Sequence, residues 1–401
     1  MRLRRKRDSG VALRAPDTAT GRSAEPVVPV GDAVRPAPPA PPPPRRSRVP
    51  LAVAGVIALL IVAGAVAIAL LRTQDGEAGE LAPPVAVVGD TRSVLVVVEG
   101  DDGRAGSIAL FTSDGGDDHR LLVAPRDLTM QLPGYGEGNI GDSLLIEDAA
   151  LLRLALINEL GIRIDEAIKL GPGDIAGVLG EAVRIDLPNA FIVNERDGAV
   201  VSASAGSDVF VPQTAETLLL TQGADSPLDW LVRQRAVWEA IAERIAASPA
   251  AAIAASPTFE SLAEPLGEAT VSVLPVERVG VGISELYVVS RDSDLLTERI
   301  AFLALVPGSR PRVEILNATT FPAVSRPLAE QLIERGFRII KTDNAEERFR
   351  TDTLVIAQGI ASQQAALDVQ AILGSGEVVV QASGSGVVDV SIIVGRDIAD
   401  R

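Results

Sequence analysis

The chain has 401 residues, enough for two or three domains, and its composition excludes several chemistries. The absence of Cys removes disulfide frameworks, thiol nucleophiles, thiolate zinc sites and Fe–S clusters. A single His, His119, removes multi-His metal sites; aromatics at 3% are too few for stacking platforms, and a formal net charge of −16 argues against nucleic acid as a partner.

The charge is divided unevenly. Residues 1–50 hold eleven basic and four acidic side chains, about +7, which leaves 26 basic and 49 acidic in 51–401, about −23. Between them, 51–71 is an unbroken run of apolar residues and Gly. As a helix it would measure about 31 Å, the thickness of a bilayer's hydrocarbon core. Arg45, Arg46 and Arg48 precede it, whereas Asp75, Glu77 and Glu80 follow. The positive-inside rule therefore predicts a single-pass protein of the cell membrane, N-terminus cytoplasmic and bulk extracytoplasmic. A cleaved signal peptide fits less well, because both the leading segment and the apolar run are too long. The 1–50 tail, with Pro41 to Pro44 in a row, reads as disordered, basic and membrane-apposed, with a proline-recognising protein partner as the sharper alternative. Segment 72–91 is a linker, polar over 73–84.

Elements then alternate. Segment 93–98 reads as a buried strand, and 107–112 with 120–124 as a hairpin about Asp114-Gly115-Gly116-Asp117. Apolar residues at helical spacing over 147–160 stop at Gly161, and 167–170, Gly171-Pro172-Gly173 and 175–181 read strand, turn, helix. A long amphipathic helix is predicted over 228–247, with Trp230 and Trp238. The Pro307-Gly308-Ser309-Arg310-Pro311 stretch marks a boundary. Beyond it, 313–316, 322–335, 338–341, 353–357, 362–373, 377–381 and 388–394 give a β-α-β-β-α-β-β module able to fold alone. The class is α/β: a domain at 92–308 with a mixed central sheet flanked by helices, then a small α/β module at 309–401.

Few groups suggest chemistry. The Gly171-Pro172-Gly173 segment has the wrong spacing for a dinucleotide loop and reads as a tight turn. The aspartates at 114–118 lack the length and closing Glu of a calcium loop and read as a solvated hairpin tip, with His119 a surface residue of the same tip. Pro125-Arg126-Asp127 is the sharper signal, because it follows the third apolar run as Asp101-Asp102 follows the first. With the first and third strands as parallel neighbours, both ends emerge at one sheet edge, where open α/β sheets take ligands. A guanidinium beside carboxylates there suits a phosphate bridged by a divalent metal, and a structural Arg–Asp pair is the competing reading.

Leu121-Leu122-Val123-Ala124-Pro125-Arg126-Asp127-Leu128, followed by Leu132-Pro133-Gly134-Tyr135-Gly136, resembles the LytR-CpsA-Psr (LCP) family, in an actinobacterial form. The 151–160 helix with Gly161-Ile162, Ile185-Asp186-Leu187-Pro188 and Arg233-Gln234 continue the likeness. Arg312 to Thr319, then Leu328-Ala329, Leu332 and Arg335-Gly336-Phe337, resemble the LytR C-terminal domain. The excess of Arg over Lys agrees with a GC-rich genome.

The resemblance implies an extracellular phosphotransferase that holds a polyprenyl-linked glycopolymer in an apolar tunnel, uses Mg²⁺ and several Arg, and passes the polymer to peptidoglycan. It retains Asp101 as metal carboxylate, Arg126 and Arg233 as catalytic cations, and Asp127 and Gln234 as ligand-binding residues, with Arg104 a further candidate. It departs elsewhere. Ala105-Gly106 replaces the second metal carboxylate, Asn139-Ile140-Gly141 replaces Lys-Ile-Asn, Thr221-Gln222-Gly223 replaces Arg-x-Arg, and Trp230 stands for an Arg of the long helix. Each lost charge of that kind costs about 10²–10³ in rate. The expectation is a degenerate, pseudoenzyme-like cell-envelope protein that binds a polyprenyl-phosphate lipid or envelope partner in cell-wall assembly, with Mg²⁺ weak or absent and a protein partner on the C-terminal module or tail. An active transferase and a ligand-free structural scaffold are the alternatives.

Overall fold

Unbroken β-branched runs punctuated by Gly and Asp build the first sheet. The computed structural model describes residues 90–400 apart from 196–197, 261, 281–285 and 383–385, all within one compact unit, Gly76–Arg401. The tail, the 51–71 segment and nearly all of the 72–91 linker lie outside the described residues. Among the described residues no helix is long and apolar enough to cross a membrane.

Strand β1 (Arg92–Glu99) runs antiparallel to β2 (Ala105–Ser113), which runs antiparallel to β3 (His119–Ala124). The β2–β3 tip is closed by Gly116 N–H donating to Asp114 Oδ1 at 2.8 Å. Strands β4 (Thr129–Leu132) and β5 (Gly136–Asn139) pair about Pro133-Gly134-Tyr135. Gly134 is required there: φ is 90°, and a Cβ would come within 2.6 Å of Arg326 Cα.

Helix α1 (Ala149–Leu160) starts where Asp148 Oδ1 accepts from Ala150 N–H at 2.6 Å and ends at Gly161 in the left-handed region. Strand β6 (Glu166–Leu170) pairs parallel with β1 and leads through Gly171-Pro172-Gly173 into α2 (Asp174–Leu179). Gly171 N–H donates to Asp174 Oδ2 at 2.7 Å, so the segment is the tight turn its spacing predicts. Strand β7 (Val183–Leu187) pairs antiparallel with β10 (Gly206–Phe210), and the hairpin of β8 (Phe191–Glu195) and β9 (Gly198–Ala203) lies between them in sequence.

Helices α3 (Pro212–Leu220) and α4 (Pro227–Ala247) follow, each with Pro in its first turn, where a missing N–H costs nothing. Strand β11 (Thr270–Val273) pairs parallel with β3 and completes a five-stranded sheet of order β11-β3-β2-β1-β6. Strands β12 (Val276–Val279) and β13 (Leu286–Val289) make a further hairpin.

The two-residue period of β1 divides the interior. Val94, Val96 and Val98 share one core with Phe111 and with Trp238 and Ile241 of α4. Leu95 and Val97 share the other with Leu152 and Ala155 of α1. All five β1 residues are fully buried, each worth about 1.5–3 kcal/mol, which is why β1 reads as a continuous apolar run and not an alternation.

The C-terminal part forms its own sheet from β14 (Arg312–Asn317), β15 (Arg338–Asn344), β16 (Leu354–Gln358), β17 (Glu377–Gln381) and β18 (Val390–Val394), in the order β15-β14-β18-β16-β17. Only β16–β18 is antiparallel. Helices α5 (Ser325–Glu334) and α6 (Gln363–Leu373) supply Leu328, Leu332, Ala366 and Val369 to its core. That core is continuous with the α1 side of the first sheet. Polar contacts join the same parts: Asn158 Nδ2 donates to Ile339 O at 2.7 Å, Ile339 N–H donates back to Asn158 Oδ1 at 2.8 Å, and Arg326 pairs with Glu147 at 3.1 Å. Asn158 thereby satisfies both backbone groups of one β15 residue, as a neighbouring strand would.

Candidate functional site

Strands β1, β3, β6 and β11 run in one direction, so their carboxyl ends share an edge. The first and third strands are parallel but not neighbours, because β2 lies between them; the sequence expectation is corrected on that point. The consequence for the edge is unchanged, since two antiparallel steps restore the direction.

Two turns carry the site. After β1, Gly100 N–H donates to Arg104 O at 2.8 Å and Arg104 N–H to Asp102 Oδ1 at 3.1 Å, folding 100–104 back into β2. After β3, the 140–142 turn lies on Pro125-Arg126-Asp127, with Gly141 N–H donating to Arg126 O at 2.8 Å. A Cβ at Gly141 would sit 2.9 Å from that same oxygen, so the approach needs glycine.

Arg126 is the centre of the cluster. Its Nη1 lies 3.1 Å from Asp102 Oδ2, its guanidinium carbon 5.1 Å from the Trp230 ring centroid, and Asp127 at 4.0 Å. Beside it Arg104 pairs with Asp142 at 3.1 Å. Burial pushes the Asp127 carboxyl above its ordinary range, against the pull of Arg126 and Arg104 and with the help of Asp142. A carboxyl perturbed by desolvation beside a cation at a sheet edge is a functional-site signature.

Arg233 and Gln234 are buried on α4, one turn beyond the Trp230 that packs on Arg126. Arg233 is 1% exposed; its Nε donates to Leu218 O at 3.0 Å and its Nη2 to Thr221 O and, at 3.2 Å, Gln222 O. Asp225 pairs with it, and the guanidinium covers the Phe191 ring at 4.5 Å. Burial lowers its pKa to about 10, leaving it a cation at neutral pH. These contacts satisfy Leu218 O in the last turn of α3 and the Thr221 and Gln222 carbonyls just beyond it, a capping role. Gln234 Nε2 donates to Gly106 O at 2.8 Å and Leu219 O at 2.9 Å. Gln234 thereby ties α4 to the start of β2 at the sheet edge.

Asp101 is exposed, and its charge helps to raise the Glu216 carboxyl on α3. Among the described residues no group of three or more His, Cys, Asp or Glu could hold a metal. His119 is mostly buried and not a free tip residue: Nδ1 lies 3.0 Å from Ser113 Oγ and the ring stacks on Phe111.

Three contributors went unread in the sequence. Glu216 is buried and accepts from Gly173 N–H at 2.7 Å; its carboxyl is raised by burial, against the amides of Gly173 and Ala176. Its signal was a lone acid on an apolar helix face. Asp142 and Asp225 gave no comparable signal.

A cleft of about 760 Å³ lies away from this edge, between α1 and the start of the C-terminal sheet.

Residues 310–397 match the family described as LytR cell envelope-related transcriptional attenuator, and the chain carries that C-terminal domain. No curated protein matches. Among solved structures the chain is similar to TagV of B. subtilis, 18% identical over 54% of this chain and 98% of that one, with a TM-score of 0.43. A LytR-Csp2A-Psr enzyme from Actinomyces oris is 18% identical over 54% and 93%, with a TM-score of 0.42. TagT bound to LIIa-WTA is 17% identical over 53% and 91%, with a TM-score of 0.43. At such identities, with scores below 0.5, no residue's role is carried over from them.

Proposed function

We propose that this is a membrane-anchored, LCP-like cell-envelope protein that binds a polyprenyl-phosphate lipid or another envelope partner in cell-wall assembly without efficient transfer. The C-terminal domain, of a family described as cell envelope-related, and the ordered LCP-like motifs over 121–136 support the envelope reading. One observation carries the rest: of the two arginines retained from the motif, Arg233 is engaged by α3 carbonyls and Asp225, and only Arg126 stands at the sheet edge. Phosphoryl transfer from a diphosphate depends on positioned cations around the developing charge. Arg126, shared with Asp102, and Arg104, shared with Asp142, suit retention of one phosphate better than displacement at phosphorus. Exposed Leu145 packs beside Gly103 of the same edge, and exposed Ile146 follows, giving the site an apolar rim.

The experiment is retention of radiolabelled polyprenyl phosphate by the purified chain, with Arg126→Ala and Leu145→Asp as variants. Retention lost in both supports the lipid reading. No retention by the unaltered chain favours the scaffold reading.

A further inference from the structure

Away from the sheet edge, the cleft between α1 and the C-terminal sheet is bordered by Arg291, Arg310, Arg312 and Arg338 with Glu159 and Asp389. We propose that this cleft is a binding site for a phosphoryl group carrying two negative charges, independent of the sheet-edge site.

Charge count and geometry set this cleft apart in a chain of net negative charge. Asp389 is taken by Arg312 alone, through two bonds of 3.0 Å. Glu159 is shared: one oxygen accepts from Arg291 and the other from Arg338 at 3.3 Å, so one carboxylate faces two guanidinium groups. Arg310 has no carboxylate partner among these contacts. Its donors go to four backbone carbonyls, among them Asn158 O at 2.7 Å and Gly336 O at 3.1 Å. Four cations and two anions leave two positive charges in the cleft.

Those charges are partly desolvated. Burial, and then the neighbouring Arg291, lower the Arg310 pKa to about 10 against the pull of Glu159. Arg338 Nε is buried with no hydrogen-bond partner. Arg291, 40% exposed, stands where an entering anion meets it. Ser362, whose side chain makes no capping bond, brings the start of α6 to the same wall. The volume, about 760 Å³, exceeds a bare phosphate and suits a phosphorylated sugar-sized group. Guanidinium forks match phosphate geometry, and two uncompensated charges match a dianion.

The test is calorimetric titration of the 401-residue chain with inorganic pyrophosphate in an Arg126→Ala background, which removes the sheet-edge arginine. Binding is expected to persist there and to weaken about tenfold or more with Arg291→Gln, the loss of one hydrogen bond to a charged group. Ser309→Glu, at an exposed wall residue, should weaken it likewise without touching the fold. Glucose 1-phosphate and a base-free phosphodiester oligomer, titrated in parallel, separate a free metabolite from a polymer as the source. No binding, binding indifferent to both variants, or citrate bound as tightly would overturn the proposal.

Discussion

Arg233 separates a structural role of the Arg-Gln pair on α4 from a catalytic one. Replacing it with Met keeps the aliphatic stem over Phe191 and removes the charge, the bonds to Leu218, Thr221 and Gln222 carbonyls, and the counter-charge of Asp225. The pair is enclosed, with side chains 1% and 10% exposed, so solvent does not replace what is lost. Breaking a buried pair from one side costs about 3–5 kcal/mol, because a carboxylate is left without its partner. Arg126→Ala makes the contrast: Asp102 is 48% exposed, and a pair of that kind is worth about 0–1 kcal/mol. Urea unfolding followed by circular dichroism measures both. Arg233→Met should fall far below the unaltered chain, Arg126→Ala should stay near it, and Asp225→Asn added to Arg233→Met should recover part of the loss. An Arg233→Met chain with the unfolding midpoint of the unaltered one would refute the capping role.

Asp127 gives a pH signature. Its carboxyl titrates above the ordinary 3.8 in the folded chain, so the native state holds the proton longer, and stability falls as pH rises through that window. Asp127→Asn should therefore be more stable at pH 7 and equal to the unaltered chain below 3.8; urea midpoints across pH 3–7 that run parallel would contradict this. Asn158→Ala leaves both backbone groups of Ile339 without their partner and should cost about 1–3 kcal/mol, seen as weaker protection of the Ile339 amide from hydrogen exchange. Protease added to intact, wall-stripped cells should digest the chain beyond about residue 75 and spare the tail, as the positive-inside rule requires; a protected C-terminal domain would contradict the topology.

Local chemistry made much of the fold legible. The β2–β3 hairpin, the Gly161 helix stop, the α4 span and the alternating strands and helices of the C-terminal sheet all follow from turn residues and periodicity that act within a few positions. The place of β2 between β1 and β3 follows from two short Gly- and Asp-rich turns, whereas the parallel addition of β6 and β11 at the two ends of the sheet is a long-range choice with no local signal. The site was legible as types and not as directions. Arg126-Asp127 reached the sheet edge as its place after a strand implies, whereas Arg233 and Gln234, three and four residues from Trp230 on α4, turn inward with it toward the end of α3. Nothing in the segment's spacing distinguishes an Arg that caps a neighbouring helix from one that meets a phosphate.

The most direct test of the central claim is turnover of a lipid-linked glycopolymer by the purified chain with Mg²⁺ and peptidoglycan acceptor, following release of polyprenyl phosphate. Labelled lipid should stay with the protein, and release should not exceed the protein-free background. Sustained release that Arg126→Ala abolishes would contradict it and make the chain a transferase.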